Sequence, residues 1–419
     1  MPQVVIVGAG AAGLGAATRL KAAGVDAVVL EANARVGGRA HTVAGPGAAA
    51  LDLGCGWLHS AGENPLTRIA SERGFAVDHS PAAWTRPALD VNVSAEDQRD
   101  YHRAFAAFEQ RLDAAAGEGP DRPASSLFAP GDERWTPLLN AFSGYYNGAP
   151  FDRISIRDYA AYQPTDDNWR VTRGYGALIA ALAGGLDVRL SSPVKRISHG
   201  PRGVRVTTAT DEIAATAAIV TISTTVLARG TIVFDPPMSD HIDAAHALPL
   251  GHVEKAFLHL ADAETFPVDS RVYGRTDTAD TGSYTLRPLG APVIEGFFGG
   301  DLAAGLESDA PGAIAAFAID ELVGVFGSDF RRRLTPLMAS RWRSDPFIGG
   351  AYSHARVGRA DARAVLAQPV ENRLWFAGEA CSPHAFSTAH GAWETGVAAA
   401  EAIIARGGQA FEPIGEPEV

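Results

Sequence analysis

The sequence predicts an α/β fold in which a Rossmann-like domain is interleaved with a second, α+β domain. Two segments at opposite ends of the 419-residue chain carry this prediction. The first, VVIVGAGAAGLGAATRL, has the order of a dinucleotide-binding unit: a buried strand, a glycine-rich turn and a helix. The second, LWFAGEACSPHAFSTAHGAWETGVAAAEAI, has a short apolar strand, a polar loop and a final helix. We expect the chain to fold back so that both ends hold one extended ligand.

The opening segment has GxGxxG spacing. Gly8 permits the tight turn, Gly10 lets a pyrophosphate approach the backbone, and Gly13 lets the helix pack on the strand. Glu31 ends the next apolar strand 18 residues after Gly13, close to the distance expected for a carboxylate that binds a ribose hydroxyl. A generic α/β turn is the alternative, but it would not require the flanking strand, helix and acid. The predicted contacts in this segment are Gly8, Gly10, Ala11, Ala12, Gly13, Glu31 and Ala32.

The segment that follows, ARVGGRAHT, favours FAD over NAD. Gly37 and Gly38 bring further backbone close to a ligand, and Arg35 and Arg39 suit a diphosphate. The element is similar to the RxGGR of two-domain FAD oxidases, and a simple NAD-binding domain does not need it.

Composition excludes several classes of protein. A net charge of −12 and a pI of about 5.5 disfavour nucleic-acid or anionic-membrane partners and modestly favour a cationic substrate; the alternative is that the protein is simply acidic, as many soluble proteins are. The two cysteines lack metal-site spacing, so we expect reduced thiols and no metal. There is neither a leader-like apolar segment before the first strand nor an apolar run of membrane-spanning length. We therefore expect a soluble, cytoplasmic protein, and its oligomeric state stays open.

Periodicity along the chain divides it between the two domains. Residues 1–80, 185–235 and 340–419 are predicted to form the FAD-binding domain, and residues 81–184 and 236–339 the substrate-binding domain. Apolar spacing predicts a helix over 101–116, and HVEKAFLHL and PVIEGFFGG are predicted strands of a second sheet.

Four segments together resemble the flavin-containing amine oxidases, most closely their polyamine oxidase branch. They are the GxGxxG with RVGGR; LDLGCGWLHSAGENPL; GHVEKAFLHL; and WRSDPFIGGAYS together with FAGEACSPHAFSTAHGAWETG. The STAHGA run matches the form found in the polyamine-oxidising and histone-demethylating branches. Tyr352 fits one position of the aromatic cage of monoamine oxidases, whereas Thr388 stands at the other, as is normal in the STAHGA branch.

The resemblance implies a reaction. A hydride equivalent leaves the carbon next to a neutral amine nitrogen and reaches flavin N5; the imine is hydrolysed to an aldehyde and an amine, and O2 is reduced to H2O2. Ala351 occupies the place of a flavin-linking cysteine found in some relatives, so we expect non-covalent FAD. The expected partners are a small cationic amine and O2.

Three residues are predicted to be catalytic. Lys255 shares a strand face with Val253 and Phe257, and the resemblance implies a water-mediated contact with flavin N5; the alternative is a surface lysine on an edge strand. The resemblance places His59 against the substrate amine, and the alternative is a loop histidine bonded to backbone. Tyr352 is predicted to line the substrate channel, although core packing is the commoner fate of an aromatic residue.

The remaining predicted cofactor contacts surround the flavin and the adenine. Glu379 is expected to accept hydrogen bonds from ribityl hydroxyls, and the last helix to direct its positive end at the flavin pyrimidine. The resemblance implies backbone contacts from Val194 to adenine. The full set is Gly54, Cys55, Gly56, Trp57, Val194, Trp342, Gly378, Glu379, Thr388 and Ala389.

Other functions remain open from the sequence. An L-amino-acid or other monoamine oxidase keeps the fold; the former requires an arginine for the carboxylate, with Arg287 and Arg343 as candidates. An FAD-dependent desaturase would need neither Lys255 nor His59, and a non-catalytic flavin-binding protein would hold FAD that no amine reduces. The acids that would bind a distal ammonium stay unranked among Glu63, Asp166, Asp167 and Glu295.

Overall fold

The computed structural model describes residues 2–407 of the chain. Its strands are β1 Val4–Val7, β2 Ala27–Leu30, β3 Thr42–Ala44, β4 Ala50–Asp52, β5 Leu58–His59, β6 Val77–Asp78, β7 Asn168–Val171, β8 Asp187–Arg189, β9 Arg196–Gly200, β10 Gly203–Thr207, β11 Glu212–Ala215, β12 Ala217–Val220, β13 Val233–Asp235, β14 Val253–Leu260, β15 Ser270–Tyr273, β16 Ser283–Leu286, β17 Val293–Gly299, β18 Leu334–Ala339 and β19 Leu374–Phe376.

Helices fill most of the intervals between strands. They are α1 Ala11–Ala22, α2 Pro65–Glu72, α3 Ala95–Ala116, α4 Thr136–Asn147, α5 Ile156–Ala161, α6 Tyr175–Ala181, α7 Thr224–Ala228, α8 Ser239–Ala247, α9 Gly300–Ser308, α10 Ala313–Phe326, α11 Ala362–Leu366 and α12 Ala389–Gly407. Among residues 2–407, no helix is both long and apolar enough to cross a membrane.

A parallel five-stranded sheet joins distant parts of the chain in the order β19-β12-β1-β2-β8. All four residues of β1 are buried, as expected for a strand covered on both faces. On one face, α1 packs against α12 so closely that a Cβ at Gly396 would lie 2.0 Å from the Ala12 carbonyl oxygen. The two terminal segments therefore meet in one layer, as the sequence predicts.

The second domain is built on an antiparallel sheet in the order β15-β16-β17-β14-β18. Helices α9 and α10 pack on this sheet, and α3, α4 and α5 form a neighbouring aromatic core. The two sequence segments predicted as strands of a second sheet are β14 and β17, which pair directly.

The structure moves two of the predicted domain boundaries. Leu178 and Ile179 of α6 lie in the same core as α1, and Ala244 and Ala245 of α8 lie in the core on the opposite face of the parallel sheet. Both helices therefore belong to the cofactor domain, although the sequence prediction assigned them to the substrate domain. The sequence prediction misplaced the boundaries because the partners against which these helices pack, such as Leu14 for α6 and Val220 for α8, are distant in sequence. Residues 408–419, assigned to the cofactor domain, lie outside the described residues.

Candidate active site

A cavity of about 1800 Å³ runs from the β1–α1 turn to the helices of the second domain. One end is formed by glycine-rich backbone and the other by aromatic side chains of α3 and α4. Strands β14 and β17 contribute side chains to its middle. An elongated ligand and a second, smaller molecule can therefore share one continuous space.

The β1–α1 turn forms a cradle of backbone. Gly8 has a φ of +108°, a conformation that favours glycine. A Cβ at Gly13 would lie 1.9 Å from the Gly8 carbonyl oxygen, whereas a Cβ at Gly10 would meet no protein atom within 4 Å. Gly10 lines the cavity and Gly13 does not, so Gly13 acts by packing rather than by contact with a ligand.

Glu31 closes the base of this cradle. Its Oε2 accepts from the Ala9 amide at 2.7 Å and its Oε1 from the Asn33 amide at 2.8 Å. A carboxylate has about four acceptor positions, so each oxygen retains capacity for a ribose hydroxyl. Burial raises the pKa of Glu31, although the two amide bonds and Arg35 act in the opposite direction.

The RVGGR segment contributes its glycines and only one of its arginines to the cavity. The Gly37 amide donates to the Ala9 carbonyl at 2.8 Å, which fixes the two glycine-rich loops together. Gly38 and Arg39 line the cavity. The Arg35 side chain lies outside the lining, donates to the neighbouring Val36 carbonyl at 3.2 Å, and lies 5.8 Å from the Trp342 ring centroid. Arg35 thus lies next to the lining residues Gly37 and Trp342, and its contact with a diphosphate stays a prediction.

Glu379 has a different role from the one predicted. Its Oε1 accepts from Arg39 Nη1 at 3.0 Å and from the Ser353 amide at 3.2 Å; its Oε2 accepts from Ser353 Oγ at 2.7 Å and the Ser387 amide at 3.0 Å. With all of its acceptor positions used, it organises the cavity wall rather than binding ribityl hydroxyls. Burial opposes ionisation, but Arg39 and Arg363 hold the pKa of Glu379 below its ordinary value.

Lys255 lies on an interior strand, between β17 and β18, and is only 5% exposed. Its Nζ pairs with Glu295 Oε1 at 2.8 Å and donates to the Asp52 carbonyl oxygen at 3.0 Å. The alternative of a surface lysine on an edge strand is therefore wrong. The strand alternation places this ammonium at the cavity, where it lines the wall with Glu295.

His59 lines the same part of the cavity and bonds a side chain rather than the backbone. Its Nδ1 lies 2.6 Å from Asn168 Oδ1, and Asn168 Nδ2 donates to the Asp166 carbonyl at 3.0 Å. That second bond fixes the amide orientation, so Nδ1 must be the donor and Nε2 keeps a free lone pair. Burial lowers the pKa of His59, and the charge of Lys255 lowers it further against the opposing bond to Asn168.

Aromatic side chains and a helix terminus complete the region around Lys255. The Tyr352 hydroxyl donates to the Tyr145 carbonyl, and Trp342 Nε1 donates to the Leu53 carbonyl at 3.1 Å. Thr388 Oγ1 accepts from the Gly391 amide at 3.0 Å and so caps α12. All of the remaining predicted site residues also line the cavity: Ala11, Ala12, Ala32, Gly54, Cys55, Gly56, Trp57, Val194, Gly378 and Ala389.

The structure also sorts the candidates that the sequence left unranked. Asp166 and Glu295 line the cavity, whereas Glu63 and Asp167 do not. Arg287 and Arg343, the proposed carboxylate clamps, are also outside the lining: Arg287 donates to the Phe266 carbonyl and Arg343 to Ser308 Oγ.

Sequence reasoning missed Trp84, Glu109 and Tyr146, which line the cavity. A signal for Glu109 was present. It follows Tyr101 and Phe105 at four-residue intervals on α3, which places the three on one helix face.

The fold and the cradle define a two-domain protein that binds an extended dinucleotide. The family model "Flavin containing amine oxidoreductase" matches residues 11–129 and 124–404, and the chain belongs to this family. Polyamine oxidase 2 of Arabidopsis thaliana is 30% identical over 440 residues, covering 96% of this chain and 87% of that protein. A lysine-specific histone demethylase 1 homolog 2 of Oryza sativa subsp. japonica is 28% identical over 96% of this chain and 57% of its own length.

A solved structure of putrescine oxidase bound to putrescine has the same fold. Its TM-score is 0.77 at 20% identity, covering 97% of this chain and 99% of that one. The chain is thus an FAD-dependent amine oxidoreductase. The open space over Gly10, the paired glycines and the free acceptor positions of Glu31 fit FAD.

Proposed function

We propose that this protein oxidises a C–N bond of an amine, with polyamines as the favoured substrates, and delivers the electrons to O2. One observation carries the proposal: a buried ammonium, Lys255, lies at the cavity wall beside an acceptor histidine, His59. The similarity to polyamine oxidases over nearly the whole chain supports the substrate class. The net charge of −12 favours the approach of a cation.

Bound FAD supplies the hydride acceptor, and the protein groups prepare the amine. His59 is neutral near physiological pH because burial lowers its pKa. Its Nε2 lone pair can accept a hydrogen bond from a substrate nitrogen, and it can hold a proton that the amine loses before oxidation.

Lys255 is the second polar group of the reacting region. An ammonium has three N–H donors, of which two are directed to Glu295 and to the Asp52 carbonyl. The third can bind a water molecule in the cavity. Tyr352 presents an aromatic wall to the alkyl chain, held in place by its bond to Tyr145.

We also propose that FAD is held without a covalent bond. Ala351 lines the cavity and carries only a methyl group, so it offers no nucleophile to the ring. Denaturation should therefore release all of the flavin into the supernatant. Flavin retained on the precipitated chain would contradict this part of the proposal.

The test is turnover by the purified holoenzyme with spermine, spermidine, acetylated polyamines, putrescine, benzylamine and several L-amino acids. We expect H2O2 and aldehyde to form in equal amounts with at least one polyamine. Turnover confined to amino acids or to benzylamine would move the protein to another branch of the family. Absence of turnover with every compound would favour a desaturase or a non-catalytic flavoprotein.

A further inference from the structure

Two buried carboxyl groups lie directly behind the strand that carries Lys255. Because side chains alternate along β14, its neighbour Glu254 points to the opposite face of the sheet, away from the cavity, and is 1% exposed. Helix α9 packs on that face and brings Glu307 beside it, also buried. The carboxyl groups of Glu254 and Glu307 hydrogen-bond to each other, and we call these two residues the carboxyl pair.

The contact between the two carboxyl groups requires a proton. An ionised carboxylate can only accept a hydrogen bond, so one member of the pair must be neutral to donate. Burial raises the pKa of Glu254 to about 8, and the charge of Glu307 acts in the same direction, against the opposing bond from Ser340. At neutral pH the carboxyl pair therefore holds one proton.

No neighbouring cation neutralises the carboxyl pair. Among residues 2–407, no Lys, Arg or His forms an ion pair with either member. His252, just before β14, is neutral at this pH because burial lowers its pKa. The charged side chains of the other elements packed around the pair bond to other partners: Asp301 of α9 to Arg153, Glu321 of α10 to the Tyr284 hydroxyl, and Arg341 and Arg343 after β18 to the Glu307 carbonyl and Ser308 Oγ.

Glu254 anchors the segment that follows β18. Its Oε1 accepts from the Trp342 amide at 2.8 Å, and its Oε2 accepts from Ser340 Oγ. Ser340 Oγ also accepts from the Lys255 amide at 2.8 Å. One carboxyl group therefore fixes both the turn that carries Trp342 and, through Ser340, the backbone of Lys255.

Glu307 holds the other end of the same segment. Its Oε1 accepts from the Ser344 amide at 2.8 Å and its Oε2 from the Arg343 amide at 3.2 Å. Trp342 lies between the two anchors, lines the cavity and donates from Nε1 to the Leu53 carbonyl. A shift of this segment would therefore move an indole ring within the cofactor cavity.

We propose that the carboxyl pair shares one proton and positions Trp342 and Lys255, and that loss of this proton loosens both. With both carboxyl groups ionised, two negative charges would lie in contact in a dry site, which would force β14 and α9 apart. Neither member lines the cavity, so the pair acts only through the residues that it positions. The effect on turnover rests on the proposed function, whereas the shared proton does not.

The first experiment is an infrared titration of the holoenzyme. The wild type should show the carbonyl stretch of a protonated carboxylic acid that disappears with an apparent pKa of about 8. Glu254→Gln should lack this titrating band, because its amide NH2 donates to Glu307 in place of the shared proton while its oxygen still accepts from the Trp342 amide. Glu264→Gln, which replaces an exposed acid, is the matched control and should retain the band.

The flavin reports whether the pair positions the site. Without substrate, between about pH 7 and pH 9, the visible spectrum of bound FAD should shift in the wild type and stay constant in Glu254→Gln. Glu254→Ala leaves the Trp342 amide without an acceptor and should slow flavin reduction by an amine roughly tenfold or more at neutral pH. Glu254→Gln should recover most of that loss.

Stability gives a third readout. The folded protein keeps the shared proton between about pH 4.5 and pH 8, where the unfolded chain has lost it. The stabilisation is complete below this window and is lost as the pH rises through it. The urea concentration at the unfolding midpoint should therefore fall over this range, and should fall less in Glu254→Gln.

Several results would overturn the proposal. Absence of the titrating carbonyl band from the wild type, or its persistence in Glu254→Gln, would show that the pair shares no proton. A flavin spectrum that does not change with pH in the wild type, or that changes equally in Glu254→Gln, would show that the pair does not position the site. If Glu254→Ala does not fold, the comparison of the wild type with Glu254→Gln still decides. If no amine reduces the flavin, the proposed function fails, whereas the infrared and spectral titrations still test the carboxyl pair.

Discussion

Glu379→Gln is the substitution that most directly tests how the cavity wall is held together. Four donors converge on the Glu379 carboxylate: Arg39 Nη1, the Ser353 amide and hydroxyl, and the Ser387 amide. A glutamine supplies one carbonyl oxygen and turns an NH2 group towards donors. Even if the Ser353 hydroxyl rotates to accept, at least one other donor loses its partner.

The cost follows from burial. Removing one member of a buried ion pair costs about 3–5 kcal/mol. We take the lower end, about 3 kcal/mol, because the Arg39 side chain remains 29% exposed. An unsatisfied amide adds ~1–3 kcal/mol, but the two terms overlap because they concern one network.

The assay is urea-induced unfolding followed by tryptophan fluorescence, at matched saturating FAD. We expect the free energy of unfolding to fall by at least about 3 kcal/mol. The control is Glu371→Gln, whose side chain is 50% exposed and pairs with His199. It should change the stability by ~0.5 kcal/mol or less. A Glu379→Gln protein within ~1 kcal/mol of wild type would refute the reasoning.

The same network gives a pH dependence. The folded-state pKa of Glu379 is lowered from 4.5, so its contribution to stability is fully present above that value. The contribution is lost as the pH falls through the lowered pKa. In Glu379→Gln this acid-dependent loss should be smaller, which parallel acid titrations of the two proteins would show.

Four further substitutions, which give three predictions, probe the cradle and the reacting region. Gly10→Val should fold but bind FAD far more weakly, because the new side chain would project into the cavity. Gly13→Val should fail to fold, because the new side chain would collide with the Gly8 carbonyl oxygen. Circular dichroism reports folding and flavin content reports FAD binding, so together they distinguish the two outcomes. Lys255→Met should retain FAD yet lower the rate of flavin reduction by roughly 100-fold or more. Asn168→Ala should lower kcat/KM about tenfold, because the tautomer of His59 is no longer fixed, and should change its pH profile.

These three predictions have clear contrary results. Normal flavin content in Gly10→Val would show that the β1–α1 turn is not part of the cofactor site. An unchanged reduction rate in Lys255→Met would make Lys255 structural, with Lys21→Met, an exposed lysine of α1, as the matched control. An unchanged pH profile in Asn168→Ala would show that the hydrogen bond between Asn168 and His59 does not influence the reaction.

The sequence could predict the cofactor half of the site because its rules are local. GxGxxG spacing demands a strand, a turn and a helix, and the structure has β1, Gly8 at positive φ and α1 in that order. The buried position of Lys255 could be predicted from strand alternation together with the family resemblance. In the first case the residues that decide the outcome are neighbours in sequence, whereas the burial of Lys255 also depends on β17, β18 and Asp52, which are distant in sequence.

Features that depend on distant contacts could not be predicted. The role of Glu379 is set by Arg39, 340 residues away in sequence, and by Ser353. Arg35 is not part of the cavity lining but lies beside Trp342, a contact that no local pattern indicates. From the sequence alone, Glu109 is an ordinary acid on the surface of a helix. Only the fold, which brings α4 next to α3, shows that it lines the cavity.

Anaerobic mixing of the holoenzyme with spermidine tests the central claim most directly. We predict that the visible absorbance of the flavin bleaches rapidly, and that admission of air restores it with release of an equimolar amount of H2O2. A flavin spectrum that stays unchanged with spermidine and every other amine, in protein shown to contain FAD, would contradict the assignment of Lys255 and His59 to amine oxidation.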